Sequence, residues 1–143
     1  TIVINHLGGK VDPSASEDEI AAWKNAIDAV AVCPNTVMKL GGVQMRVGDW
    51  EPPYHMHVSE NPWQSDALVD TLLPWYQYAL EAFGPSRCMF ESNFPVDKEC
   101  VSYRVLWNVF KKIANRLGLS ETEKTDVFNA TAARSYRLEG AQG

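Results

Sequence analysis

Several things are missing from this sequence. No apolar run approaches the ~18 residues that a membrane helix needs, so no span of that kind and no membrane partner are expected. The three cysteines, Cys33, Cys88 and Cys100, form no C-x-x-C pair and no even framework. They point to a reducing, cytoplasmic setting without disulfides, and to small buried hydrophobes with no base beside them. Basic residues number 13 against 18 acidic ones, and the longest basic run is Lys111-Lys112. A net charge of −5 without a basic stripe argues against nucleic acid as a partner. No H-E-x-x-H, Walker loop, G-x-S-x-G elbow or G-x-G-x-x-G is present, which removes the chemistries those motifs carry. The first residue is Thr rather than Met and no basic n-region is present, so no signal peptide is expected. The chain opens at Thr1 on a strand-like run, as a cut inside a larger domain would.

What is present is a globular composition: 45% of the 143 residues are hydrophobic, enough to bury a real core. Residues 1–5 are apolar and β-branched and suit a strand buried on both faces, ended by Gly8-Gly9. Ser16 and Glu19 have capping-box spacing, and Ile20, Trp23, Ile27 and Val30 follow at helical intervals until Pro34-Asn35. Thr36 to Leu40 form a second strand, followed by Gly41-Gly42. Residues 43–64 are a long polar stretch with Trp50, Trp63 and three prolines, read as a loop over the active-site face. Leu68, Leu72, Tyr76, Leu80 and Phe83 predict a helix over 66–83 that Pro74 breaks or kinks. A third strand is expected over 88–94, closed by Pro95. A helix over 101–117 ends at Gly118, and a last one, opened by Ser120 and Glu123, runs to about Tyr136 before a frayed tail. Strands alternating with helices predict a parallel α/β sheet with right-handed crossovers. Three strands are few, so the sheet is expected to belong to a barrel or a larger sheet.

In parallel α/β proteins chemistry gathers at the C-terminal ends of the strands. That rule selects Asn5 and His6, then Lys39, then Glu91, Ser92 and Asn93. His6 is the sharpest candidate, because imidazole binds metals and moves protons near neutral pH. Strand alternation would put Glu91 and Asn93 on one face, away from Ser92. Asp97 lies past Pro95, where a loop or helix-start carboxylate is the simpler reading. His55-Met56-His57 has two imidazoles at metal-ligand spacing but sits in the polar loop, and is read as part of a substrate-covering segment. Trp23, Trp75 and Trp107 are expected in helix packing, while Trp50 and Trp63 could wall a pocket.

The segments INHLGG (4–9), VMKLGG (37–42), FGPSRCMFESNFPVDK (83–98) and FNATAARSYRL (128–138) resemble the amidohydrolase-related family, amidohydrolase 2. These are metal-dependent hydrolases on a (β/α)8 TIM barrel, and they include lactonases of sugar lactones and of pyrone dicarboxylate. The resemblance implies that residues 1–143 are the C-terminal part of such a barrel: strands six to eight, about three βα units, and the closing helices. A whole barrel needs about 250 residues. A fragment, a split protein that meets its missing N-terminal half, or a homo-oligomer is therefore expected. The isolated chain is expected to be inactive.

The same resemblance assigns roles. His6 matches a strand-end His that contacts a metal or the substrate carbonyl. Asn93 stands where many relatives carry Asp in a G-S-D-W-P block, so Glu91 or Asp97 would supply the charge. Lys39 and Arg46 would bind an anionic small-molecule substrate. A divalent ion such as zinc is implied as cofactor, and His55 and His57 do not match the family's metal-binding HxH. The implied reaction is hydrolysis of a lactone, ester or amide bond in a small organic acid derivative. Decarboxylation, or a non-catalytic half-barrel remnant or assembly module, is the alternative.

Overall fold

A computed structural model describes residues 1–9, 12–42 and 64–138. Three short apolar segments, β1 (Ile2–Ile4), β2 (Thr36–Leu40) and β3 (Cys88–Phe90), form a parallel sheet in the order β1-β2-β3. The register sets Val3 beside Val37 and Lys39 beside Met89. Alternation then divides the faces. Met38, Leu40, Cys88 and Phe90 enter a core shared with the helices, while Val37, Lys39 and Met89 lie on the other face.

Two helices begin where the sequence predicts and for the predicted reason, and the one expected from residue 101 begins two residues later on a serine cap. Ser16 caps α1 (Glu17–Ala31) and closes a capping box with Glu19. Ser102 caps α3 (Tyr103–Arg116), whose Leu106, Val109, Phe110 and Ile113 are buried. Beyond it Gly118 takes the left-handed backbone that ends helices, with φ +66°. Ser120 and Glu123 box the start of α4 (Glu121–Thr125), which continues through a π-helical turn (Asp126–Ala130) into α5 (Thr131–Tyr136).

Several expectations are corrected. The first strand is not buried on both faces: β1 is an edge strand of the described sheet, and Ile2 is 54% exposed. The segment around Pro74 is one continuous helix, α2 (Ser65–Phe83), with no break. Leu68, Val69 and Leu72 before the proline and Trp75, Tyr76 and Phe83 after it all enter the same core. Burying both halves on one line outweighs the one backbone hydrogen bond that Pro74 cannot make. The third strand stops at Phe90 rather than reaching residue 94. Glu91 N–H still donates to Leu40 O at 3.1 Å, but Asn93 then turns to φ 53° and a 3-10 turn (Val96–Glu99) follows. The face-sharing of Glu91 and Asn93 expected from a pleated strand therefore does not apply. Cys33 is exposed, whereas Cys88 and Cys100 are buried as expected, and all three are free thiols.

At the end where the strands begin, Arg87 ties the layers together. Its guanidinium donates to Phe83 O at 3.0 Å, Cys33 O at 3.1 Å and Ala31 O at 2.9 Å, which caps the C-terminal turns of α1 and α2 with one cation. Arg134 and Thr131 both donate to Ser86 O, so α5 is fastened to the same end. None of the described helices is long and apolar enough to cross a membrane.

Candidate active site

The opposite end of the sheet gathers His6, Lys39 and Glu91, three of the side chains singled out in the sequence. β1 hands over to a tight turn, His6–Gly8, in which His6 and Leu7 both take left-handed backbone, with φ 54° and 53°. Such a conformation costs roughly 1 kcal/mol or more per non-glycine residue, and it persists where surrounding contacts hold it. Here Leu7 is fully buried, and its carbonyl accepts the Trp23 indole N–H at 2.9 Å. Helix α1 thus pins the turn, and the turn aims His6.

His6 meets Glu91, 85 residues away in sequence. Glu91 Oε1 accepts the His6 backbone N–H at 3.2 Å and lies 2.6 Å from Nδ1. Its other oxygen, Oε2, is 3.1 Å from Lys39 Nζ. The side chains of His6, Lys39 and Glu91 are 29%, 23% and 13% exposed, so the three form a partly buried cluster open on one side. An ionised carboxylate only accepts hydrogen bonds, so Nδ1 carries the proton. In the neutral ring Nε2 then keeps its lone pair. Burial pulls the Lys39 ammonium down, but hydrogen bonds and charges from Glu91 and Tyr136 outweigh it and the net shift is upward. Lys39 therefore stays cationic through the neutral range.

Asn93 and Asp97 pair with each other. Asn93 Nδ2 donates to Asp97 Oδ1 at 2.7 Å, and Asp97 is 1% exposed. Beneath them Tyr76 is fully buried, and its hydroxyl has no hydrogen-bond partner among the described residues. Its pKa is raised well above the usual phenol range by burial first, then by the charges of Asp97 and Glu91.

Of the residues singled out in the sequence, His6, Lys39 and Glu91 are brought together, and Asn93 joins Asp97 rather than either of them. Asp97 stands at the start of the 3-10 turn, in keeping with the helix-start reading, and is buried against Asn93. Ser92 accepts the Phe94 N–H at 3.4 Å and serves the turn. Asn5 is exposed and contributes its carbonyl to the Gly8 N–H. Arg46, His55, His57, Trp50, Trp63 and all of the predicted loop but Gln64 lie outside the described residues. Tyr136, which sequence reasoning missed, closes one side: its ring centroid is 5.7 Å from Lys39 Nζ. No local signal marks it, since α5 comes to β2 only through the fold.

A divalent cation fits these residues poorly. Nε2 of His6 has the right chemistry, a ligating nitrogen whose ring is held by a carboxylate. Among the described residues, however, no three of His, Cys, Asp and Glu gather as a closed ligand set would require. The Lys39 ammonium beside Glu91 opposes a second positive charge there. A groove of about 470 Å³ beside Trp23, Pro74 and Trp75 lies between α1 and α2. Its described lining has Lys24 and Thr71 as its polar side chains and includes none of His6, Lys39 and Glu91.

Known proteins agree with this architecture. The sequence profile described as Amidohydrolase matches residues 1–138. An uncharacterized protein, y4mH, of Sinorhizobium fredii is 38% identical over 138 residues, covering 96% of this chain and 39% of its own. An L-fucono-1,5-lactonase of Burkholderia multivorans is 30% identical, covering 96% of this chain and 43% of its own. Among solved structures, an amidohydrolase from Burkholderia multivorans with bound zinc superposes with a TM-score of 0.73 at 27% identity, over 95% of this chain and 43% of that one. The chain spans about two fifths of the length of the relatives it matches. The structural relatives are TIM-barrel amidohydrolases, so the three parallel strands and their helices are part of a barrel. With its strand order, its helix layer and nearly its whole length accounted for in this way, the chain belongs to the amidohydrolase family.

Proposed function

We propose that this chain is the C-terminal part of an enzyme that hydrolyses a lactone of a small hydroxy acid, with strands six to eight of the barrel and their site residues supplied here. The observation that carries the reading is the Glu91 carboxylate, which holds the His6 ring on one oxygen and Lys39 on the other. Two relatives are lactonases by name, the L-fucono-1,5-lactonase and an L-rhamnono-gamma-lactonase of Scheffersomyces stipitis that is 23% identical. The remaining strands come from the rest of the polypeptide or from a partner chain. The three free thiols suit a cytoplasmic location.

The chemistry follows from the tautomer. Nε2 of His6 takes a proton from water as the water oxygen bonds to the lactone carbonyl carbon. Glu91 holds the ring in place and stabilises the imidazolium that forms. Lys39 offers its remaining N–H donors to the negative charge on the carbonyl oxygen. When the ring C–O bond breaks, the departing alkoxide recovers the proton from the imidazolium, so the net change is one water added and one hydroxy acid released. Since the described residues do not make a cation site, no step is routed through a metal.

A lactone panel on the complete barrel tests this, with His6→Ala and Glu91→Gln as variants. His6→Ala should cost about 10²-fold or more in turnover while leaving thermal unfolding in place. Unchanged turnover would remove His6 from the mechanism.

A further inference from the structure

The turn after β2 presses directly on the His6–Glu91 pair. A Cβ built on Gly42 would lie 2.1 Å from His6 Nδ1, and one built on Gly41 would lie 2.0 Å from Glu91 O and 2.6 Å from Glu91 Cγ. Side chains do not approach so closely. The two glycines are therefore more than a strand terminator: each lets backbone lie flat against one member of the pair. Gly42 has φ +69°, which alone would favour glycine, but the contact is a separate constraint. Gly118 has nearly the same φ, +66°, and nothing within 4 Å of its Cβ position.

We propose that Gly41 and Gly42 are positioning residues whose bare backbone clamps the His6 imidazole and the Glu91 carboxylate in hydrogen-bonding register. The two contacts differ in what can yield. At Gly42 the obstacle is an imidazole, which can swing about its side-chain bonds. A methyl there should push the ring off Glu91 while the backbone stays folded. At Gly41 the obstacle is the Glu91 carbonyl, fixed in the sheet ladder by the Glu91 N–H bond to Leu40 O, so a methyl there should damage folding itself. The catalytic importance of the pair rests on the hydrolase reading above, whereas its placement by Gly42 does not.

The test compares Gly42→Ala with Gly118→Ala in the complete barrel. The short Nδ1–H to Oε1 bond of 2.6 Å should give a downfield imidazole N–H resonance, assigned by its loss in His6→Ala. Gly118→Ala, which shares the backbone strain but not the contact, should keep that resonance and the wild-type kcat. Gly42→Ala should lose it, and kcat should fall about tenfold or more with little change in KM. Should Gly42→Ala fail to fold, the double variant His6→Ala, Gly42→Ala decides. With the ring gone the methyl has its space, and this chain should melt no lower than His6→Ala, Gly118→Ala. A resonance that persists unmoved in Gly42→Ala overturns the proposal, as does a double variant that stays unfolded. A resonance lost with turnover intact supports the clamp and removes instead the catalytic role of His6.

Discussion

Replacing Asn93 by Asp is the most informative single change in this site. In the native arrangement the Asn93 amide donates to Asp97 Oδ1 at 2.7 Å, and Asp97 is 1% exposed. Asn93→Asp sets two carboxylates at that separation, and two like charges so close do not both ionise. One of them must hold a proton at neutral pH. Keeping a carboxyl of ordinary pKa, about 3.9, protonated at pH 7 costs about 4 kcal/mol. That is an upper limit, because Asn93 is only half-buried and the new side chain can turn aside, so about 2–4 kcal/mol is expected. The sign follows from linkage. The folded pair has one pKa raised above its unfolded value, so the penalty is absent below about pH 4 and grows as pH rises toward the folded pKa. Urea unfolding of wild type and variant at several values between about pH 4 and pH 8 should therefore give a difference that widens with pH. The exchanged pair Asn93→Asp, Asp97→Asn restores a donor against an acceptor and should recover most of the loss. A deficit that is constant across the pH range would refute the reasoning. The kinetics of the same variants ask a second question: a higher rate in Asn93→Asp would mean that a carboxylate role at this position stands vacant.

Three further changes have definite outcomes. Ser16→Ala and Ser120→Ala each remove one side of a capping box and should lower stability by about 1 kcal/mol, read by chemical denaturation. Cys33 should react with a thiol reagent in the folded chain, while Cys88, buried and with its thiol pushed up to about 12, should react only on unfolding, as mass spectrometry of the labelled peptides will report. Asp66 is hydrogen-bonded by Lys112 across α2 and α3, which holds its carboxyl below the usual range. Its contribution is present above its unfolded value of 3.8 and is lost as pH falls through the folded one, so Lys112→Met should leave acid unfolding shifted to higher pH.

What could be read from the sequence was local. The serine and glutamate three residues apart at 16–19 and 120–123 state their own geometry, and both boxes form. The apolar face of α3 is set by 3.6-residue spacing and is buried as expected. The strand-end rule selected His6, Lys39 and Glu91 without knowing that they meet. Their meeting depends on register: Lys39 lies beside Met89, so it stands next to Glu91, and neither spacing nor composition encodes that. Pro74 misled for a similar reason, since propensity is local and the core that overrides it includes Leu72 and Trp75 on either side. The end of β3 was hidden because Asn93 tolerates a left-handed backbone that a strand residue does not need, and nothing in Glu91-Ser92-Asn93 says which conformation it takes.

The arginine fan at the base of the sheet has a further consequence. Arg87 grips three carbonyls from two crossovers, so a helix that peeled away would strand several acceptors at once. The mouth, by contrast, is built from bent backbone at His6, Leu7 and Asn93. Cohesion and the candidate site thus occupy opposite poles of the same three strands. A variant broken at Arg87 should therefore lose the order of its helices, whereas a change of side chain at the mouth leaves those three bonds in place.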